Sequence, residues 1–286
     1  MVRRMTAAGL LVALACTPIT PEPTGSATAS PAPVPASTPE GGLATVYYLL
    51  EFGGRTYVSP ETHTIVPAGD PGAAVREAIA GEPADPDLFT AFPATVHVRG
   101  VTVTDGVATV DWDSDVLAAH IGAGRETPAI QQIVWTLLSL PGVDEAAFTV
   151  EGETEGTASN GRSIDDWWGN ASFGDLPLTR KEDALEPITI DEPAEGSRLA
   201  GTITVSGTAS VFEATVGIRL RSPSGAIARR TFTTAGIGAP DRGDWSIELR
   251  LPPVDAPETW MLEAFEQSQK DGSDFFVQTK TIVILA

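Results

Sequence analysis

The sequence contains a single cysteine in 286 residues, so one chain can build neither a disulfide framework nor a thiolate metal site. Lysine is also scarce, and only 18 basic residues stand against 38 acidic ones. The resulting net charge of -20 repels nucleic acid and anionic lipid surfaces. Because the acidic residues are spread along the chain, they are typical of a solvated surface. We therefore expect no nucleic-acid binding.

Catalytic motifs are missing as well. There is no Gly-x-Ser-x-Gly, Ser-x-x-Lys or P-loop sequence, and no Gly-x-Gly-x-x-Gly in a βαβ context. The three histidines, His63, His97 and His120, lie in separate predicted elements without the i, i+4 spacing of paired metal ligands. The sequence therefore predicts a protein that is not an enzyme, with no catalytic residue, no metal and no cofactor.

Residues 1–15 have the order of a secretory signal peptide, with two early arginines before an apolar stretch too short to span a bilayer. The cysteine that follows resembles the lipobox cysteine of bacterial lipoproteins, whose thiol receives a diacylglyceryl group. This resemblance implies lipidation at Cys16 and an anchor on the outer face of the cell membrane. Ala13 stands where leucine is usual, so the alternative is an ordinary signal peptide that contains a cysteine.

Composition divides the rest of the chain into four parts. Residues 16–43 are rich in Pro, Ser and Thr and predict a disordered linker. Its stretch from Thr17 to Gly42 extends to roughly 80 Å at about 3.1 Å per residue. Residues 44–152 and 188–286 are each long enough for a domain of common size. A connecting segment, residues 153–187, lies between the two domains.

The first domain has clear turn and cap signals. Residues 44–51 and a short strand around Tyr57 predict a hairpin. A helix is predicted to begin after Asp70, with Pro71 at its first position, and to end before Gly81. The dipeptide Asp105-Gly106 predicts the turn of a second, longer hairpin. The remaining elements are a helix near residues 130–138 and a strand at residues 146–150. The order ββαββαβ predicts an α+β sandwich.

After residue 187 the pattern changes to short alternating strands, beginning at residues 188–190, 201–207 and 215–221. About seven strands in roughly 100 residues are typical of an all-β immunoglobulin-like sandwich. Just ahead of it, the run from Thr179 to Glu182 has a capping-box pattern and predicts a short helix.

The first domain resembles the GerM-type sporulation and germination domain, GerMN, over residues 44–152. The resemblance rests on five motifs in this order and spacing: Val46-Tyr47-Tyr48, Ala80-Gly81-Glu82-Pro83, Phe92-Pro93, Val107-Ala108-Thr109-Val110-Asp111, and Gln132-Ile133-Val134-Trp135-Thr136-Leu137 followed by Pro141-Gly142-Val143.

The second domain resembles the immunoglobulin-like domain that follows GerMN in bacterial spore-germination-related proteins. The motifs are Pro193, Gly196-Ser197, Val205-Ser206-Gly207-Thr208-Ala209, Phe212-Glu213-Ala214-Thr215-Val216 and the run from Glu266 to Ser273. The two resemblances imply a non-catalytic envelope protein with no catalytic residues to carry over. We expect it to bind an envelope protein or peptidoglycan.

Several polar and aromatic residues have two interpretations. Asp111, Asp113 and Asp115 resemble the start of a calcium loop, or Asp111 ends a strand and Asp113 or Ser114 caps a short helix. Glu213 and residues 266–273 form either a binding patch or a structural device, with Glu213 bonding backbone groups and Asp271-Gly272 forming a turn.

The connecting segment also has two interpretations. Trp167-Trp168, near Phe173, is either an exposed anchor for a partner or a flap over the first domain's core. Asp165-Asp166 would have to supply the carboxylate pair if the protein were a wall-modifying hydrolase. Passive glycan binding is a further alternative, and it would require aromatic residues on one exposed face.

Overall fold

The computed structural model describes residues 40–122, 124–165, 167, 177–268 and 270–286. The predicted signal peptide, Cys16 and most of the predicted linker lie outside these residues. The linker was expected to extend to residue 43, but Gly42 already belongs to the first strand, opposite Ile65. Within the part of the chain that is described, no helix is long and apolar enough to cross a membrane.

The first domain has the predicted α+β architecture. Its order is ββαββαβ, with one additional two-residue strand after the first helix. The bounds are β1 Gly42–Phe52, β2 Arg55–Ile65, α1 Pro71–Ala80, β3 Leu88–Phe89, β4 Val98–Thr104, β5 Val107–Trp112, α2 Glu126–Leu137 and β6 Glu145–Val150. The strands form two sheets of order β2-β1-β3 and β4-β5-β6. Strands β5 and β6 are parallel, and α2 connects them.

The first hairpin, rather than the second, is the longer one. Its two strands have eleven residues each, and Gly53 and Gly54 have the positive φ angles that a two-residue turn needs. Strand β2 extends to Ile65 although it contains Pro60. Because β2 is the outer strand of its sheet, the missing N–H of Pro60 is tolerated there. The second hairpin turns at Asp105-Gly106, as predicted.

Helix α1 begins and ends where its start and stop signals predict. The Asp70 carboxylate accepts the backbone N–H of Ala73 at 2.5 Å. Gly81 follows the helix with φ -66°, so left-handed geometry does not explain the glycine there. A Cβ at Gly81 would lie only 2.4 Å from the carbonyl oxygen of Glu77, and this close approach requires glycine.

The core of the first domain is built on Trp112, which is fully buried. Phe92 stacks on its indole ring with 5.3 Å between ring centroids, and Phe148 packs at 6.3 Å. Polar side chains join the helices inside this core, since Gln132 donates to the Ala78 carbonyl oxygen at 2.6 Å. Helix α2 is thereby locked to α1 as well as to the sheets.

The second domain is the predicted immunoglobulin-like sandwich, with seven strands in its described residues. They are β7 Arg198–Leu199, β8 Thr202–Ala209, β9 Thr215–Arg221, β10 Ile227–Thr234, β11 Gly243–Arg250, β12 Glu258–Gln267 and β13 Asp274–Ile284. One sheet has the order β10-β9-β12-β13-β7, and β11 pairs with β8 in the other.

Two local predictions before the sandwich were wrong. Residues 188–190 hold only an isolated bridge, from Ile188 to Ala209, although the segment follows β8 and Thr189 donates its backbone N–H to the Thr208 carbonyl oxygen. The capping box at Thr179 does not form either. The chain makes a single 3-10 turn, Glu182–Ala184, whose N-cap is Lys181 without a side-chain bond.

Candidate functional site

Strand β13 brings the second domain against the hairpin of the first. Its inward-facing Phe276 lies between Phe52 and Tyr57, with ring centroids at 5.0 and 5.7 Å. The connecting segment follows the outer edge of β2, where Leu185 bridges Val58. We call this contact the domain junction, and it packs the two domains against each other as one body.

A buried ion pair crosses the domain junction. Lys280 of β13 contacts Asp85 of the first domain with 2.9 Å between Nζ and Oδ2, and the two side chains are only 4% and 3% exposed. Burial by itself would lower the pKa of Lys280, but the charge and hydrogen bond of Asp85 outweigh it and raise that pKa. Lys280 therefore keeps its proton, and each member of the pair depends on the other.

Glu186 is a second buried ionisable residue at the domain junction. It is fully buried, and its Oε1 atom accepts the hydroxyl of Ser59 on β2 at 2.7 Å. Burial raises the pKa of Glu186 to about 8, against the opposing effects of Ser59 and Lys280. Arg242 donates to the Glu186 backbone carbonyl at 2.6 Å, so both domains hold this residue.

His63 connects elements within the first domain. Its two ring nitrogens contact the carboxylates of Glu61 at 2.6 Å and Glu77 at 2.8 Å. The hydrogen bond with Glu61 is the main reason that the pKa of His63 is raised. His97 and His120 are exposed and lie elsewhere. Among the described residues, no group of three or more His, Cys, Asp or Glu side chains is placed to hold a metal.

The outward side of the five-stranded sheet carries a different arrangement, which we call the arginine–aromatic face. Directly opposed residues on neighbouring strands share a side of a sheet. One row therefore places Phe232, Gly217 and Phe265 together, and the next row places Arg230, Arg219 and Glu263 together. This face lies opposite the side of the sheet that forms the sandwich core.

Phe265 is the centre of the arginine–aromatic face. The guanidinium carbons of Arg219 and Arg230 lie 4.1 and 5.2 Å from the centroid of its ring, so both cations stack on the aromatic surface. The ring lies over Gly217, where a Cβ would approach it to 2.4 Å. Glycine at that position is therefore what allows Phe265 to lie flat on the sheet.

Carboxylates hold the arginines of β9 in place. Glu263 accepts from Arg219 at 2.5 Å and from Arg221 at 2.7 Å, and Asp274 accepts from Arg219 at 2.9 Å. The Arg219 and Glu263 side chains are each only 7% exposed. This network fixes the guanidinium groups before any partner binds.

Three large aromatic side chains remain exposed around this face. Phe212, Phe232 and Phe275 are 62%, 52% and 67% exposed. Glu266 accepts the backbone N–H of Phe212 at 3.0 Å, which orients the segment ahead of β9. Exposed aromatics beside ordered arginines have the composition of protein–protein interface cores.

The three aspartates of the possible calcium loop have separate roles. Asp111 accepts from the Thr149 hydroxyl at 2.9 Å and from the Gly152 N–H at 2.6 Å. Asp113 accepts the backbone N–H of His97 at 3.2 Å, and Asp115 is exposed. A 3-10 helix, Ser114–Ala118, begins where a short helix was expected, but Asp113 makes no cap bond to it.

The other residues that had two interpretations have different outcomes in the structure. Glu213 is exposed with φ 52°, and it is Glu266 whose carboxylate bonds the backbone at this crossing. Asp271 and Gly272 do form the turn between β12 and β13, with Asp271 accepting from Ser273. Trp167 is buried at 3% exposure in the apolar core, as the flap interpretation requires.

The possible carboxylate pair of the connecting segment is described only at Asp165. Asp165 is exposed and accepts from the Gly156 N–H at 3.4 Å. Asp166, Trp168 and Phe173 lie outside the described residues. Sequence reasoning missed Lys280, Glu186 and the arginines of β9, which carry no motif.

Family models match both domains. Residues 45–156 match a model described as sporulation and spore germination, and residues 187–273 match one described as an immunoglobulin-like domain of bacterial spore germination. The chain carries both domains in this order. The resemblance seen in the sequence is thereby confirmed, and neither description of these germination-type domains includes a catalytic activity.

Solved structures similar to this chain include two from Bacillus subtilis. The tandem GerMN domains of the sporulation protein GerM are 24% identical with a TM-score of 0.37, and the match covers 49% of this chain and 45% of that one. The first GerMN domain of GerM is 17% identical with a TM-score of 0.34, covering 51% of this chain and 97% of that one.

A putative lipoprotein from Clostridium perfringens is 11% identical with a TM-score of 0.30, over 49% of this chain and 95% of that one. The chain thus spans less than half of the tandem GerM structure. No curated protein matches it.

Proposed function

We propose that this chain is a non-catalytic binding protein of the cell envelope that acts in a germination-type or cell-wall process. A lipid on Cys16 holds it on the outer face of the membrane, and the arginine–aromatic face binds an envelope protein. The observation that carries the proposal is the exposure of Phe212, Phe232 and Phe275 beside arginines that are already ordered. Aromatic and arginine side chains dominate binding energy when a partner covers them.

The domain junction supports the same role. Its buried polar side chains, Lys280, Asp85 and Glu186, are held by partners from both domains. A fixed junction presents the arginine–aromatic face in one orientation relative to the first domain. Binding then costs less conformational entropy than it would for two loosely connected domains.

Crosslinking in intact cells tests the binding role. We expect the full chain to capture one or a few envelope proteins, and we expect the Phe212→Ser/Phe275→Ser variant to lose them, as measured by mass spectrometry of the captured material. Leu43→Ser is the matched control, because Leu43 is 79% exposed on β1 of the first domain. Equal capture by all three proteins, recovery of glycan fragments alone, or cleavage of wall material would contradict the proposal.

The Cys16→Ser variant tests the anchor. Without the thiol no diacylglyceryl group can be attached, so we expect the protein to move from the membrane fraction to the soluble fraction. Fractionation with immunoblotting measures this change. A variant that stays in the membrane fraction and is processed like the wild type would show that the anchor is not at Cys16.

A further inference from the structure

Strand β10 forms an open edge of the five-stranded sheet. It is the outermost strand in the order β10-β9-β12-β13-β7, and each residue of Ile227–Thr234 is exposed or partly exposed. In the described ranges of the chain, no further strand forms a backbone ladder with its outer side, although β11 contacts the end of β10, where the Thr233 hydroxyl donates to the Ser246 carbonyl oxygen at 2.9 Å. The open part of the edge, Ile227 to Phe232, presents N–H and C=O groups that can pair with an added strand.

The charge of this edge differs from that of the whole protein. Arg229 and Arg230 are consecutive, so their side chains point to opposite sides of the sheet. Arg230 donates to Gln267 at 2.9 Å and stacks on Phe232 at 5.7 Å. Neither arginine forms an ion pair with any described residue, whereas Arg219 is paired with Glu263 and Asp274. Two unpaired cations on one edge of a chain with net charge -20 favour an acidic partner.

Apolar surface accompanies these charges on the same strand. Phe232 is 52% exposed and Ile227 is 46% exposed. A strand added to β10 would place its own side chains beside them at cross-strand distance. The edge therefore offers backbone groups, cations and apolar contacts together between Ile227 and Phe232.

We propose that β10 accepts an extended acidic polypeptide segment as an additional strand of this sheet. The carboxylates of the segment bond to Arg229 and Arg230, and one apolar side chain covers Phe232. This inference rests on the proposed binding function and specifies the partner of the arginine–aromatic face. A second copy of β10 fits the edge less well, because self-pairing would bring four arginines together.

Binding of a synthetic peptide to the full chain tests the inference. The probe is a labelled eight-residue peptide with two consecutive glutamates between valine and threonine residues, so that one carboxylate lies on each side of the added strand. Fluorescence anisotropy is the readout. One control peptide has lysine in place of glutamate, and another has alternate backbone nitrogens methylated, which removes donors along one edge. We expect the acidic unmethylated peptide to bind at least about tenfold more tightly than either control.

Protein variants locate the site. We expect Arg229→Glu/Arg230→Glu to weaken peptide binding at least about tenfold. Arg198→Glu/Arg250→Glu, which makes the same charge change at exposed positions on β7 and β11, should have little effect. Hydrogen exchange should slow at the β10 amides when the peptide is bound.

Four results would overturn the inference. They are equal binding of the methylated peptide, equal binding by the Arg229→Glu/Arg230→Glu variant, protection located away from β10, and a dimer of the free chain in which β10 is protected. If the peptide fails to bind while Phe212→Ser/Phe275→Ser still loses the crosslinked proteins, the added strand is wrong and the proposed function stands. If no crosslinked protein depends on the aromatic residues, the proposed function itself fails.

Discussion

Replacement of Lys280 by methionine should lower the free energy of unfolding by about 3–5 kcal/mol. The variant leaves Asp85 charged at a position that is 3% exposed, without the ammonium group 2.9 Å away. An unpaired buried charge is far more costly than a lost surface contact, because water cannot solvate it. Urea unfolding followed by tryptophan fluorescence measures the change.

Two further variants separate the ion pair from general disruption of the fold. Lys280→Met/Asp85→Leu removes both charges and should recover most of the lost stability. Arg55→Met breaks the exposed pair with Asp183, at 3.7 Å, and should cost less than about 1 kcal/mol. If Lys280→Met is as mild as Arg55→Met, the junction does not depend on the buried pair.

Glutamine at position 186 should flatten the pH dependence of stability between about pH 4.5 and pH 8. In the folded protein the pKa of Glu186 is about 8, whereas an unfolded glutamate titrates near 4.5. The folded state therefore holds the proton through this range while the unfolded state releases it. The contribution of Glu186 is fully present below about pH 4.5 and is lost as the pH rises toward 8.

The expected loss is several kcal/mol, since each pKa unit corresponds to about 1.4 kcal/mol. Glu186→Gln still accepts the Ser59 hydroxyl through its amide oxygen but does not titrate. Urea unfolding at each pH should show the wild type losing stability relative to the variant as the pH rises. Subtracting the unfolding free energy of the variant from that of the wild type at each pH removes the contributions of the other titrating groups. The exposed Glu182→Gln is the control. Parallel curves for wild type and Glu186→Gln would exclude this assignment.

Local signals account for the elements that were predicted correctly. Asp70 and Pro71 start α1, and Asp105-Gly106 turns the second hairpin, because each depends on backbone preferences within a few residues. The second strand of the first hairpin was predicted to be short, but it continues through Pro60 to Ile65. Only the position of β2 at the edge of its sheet makes that proline harmless.

The short-range pattern misled where tertiary contacts outweighed it. Thr179 and Glu182 have capping-box spacing, yet Lys181 donates its backbone N–H to the Gln131 side chain at 2.7 Å. That bond draws the segment onto α2 and leaves only one 3-10 turn, Glu182–Ala184. A cap worth about 1 kcal/mol does not determine the path of a segment that packs on a core.

By itself, the sequence determined the class of each domain, their order and most turns, because hydrophobic period and turn chemistry act over a few residues. Only the tertiary structure decided which polar residues meet. Lys280 and Asp85 are 195 residues apart, and Glu186 and Ser59 are 127 apart, with no motif around any of them. The arginine–aromatic face likewise depends on the register of β9, β10 and β12, which no single segment encodes.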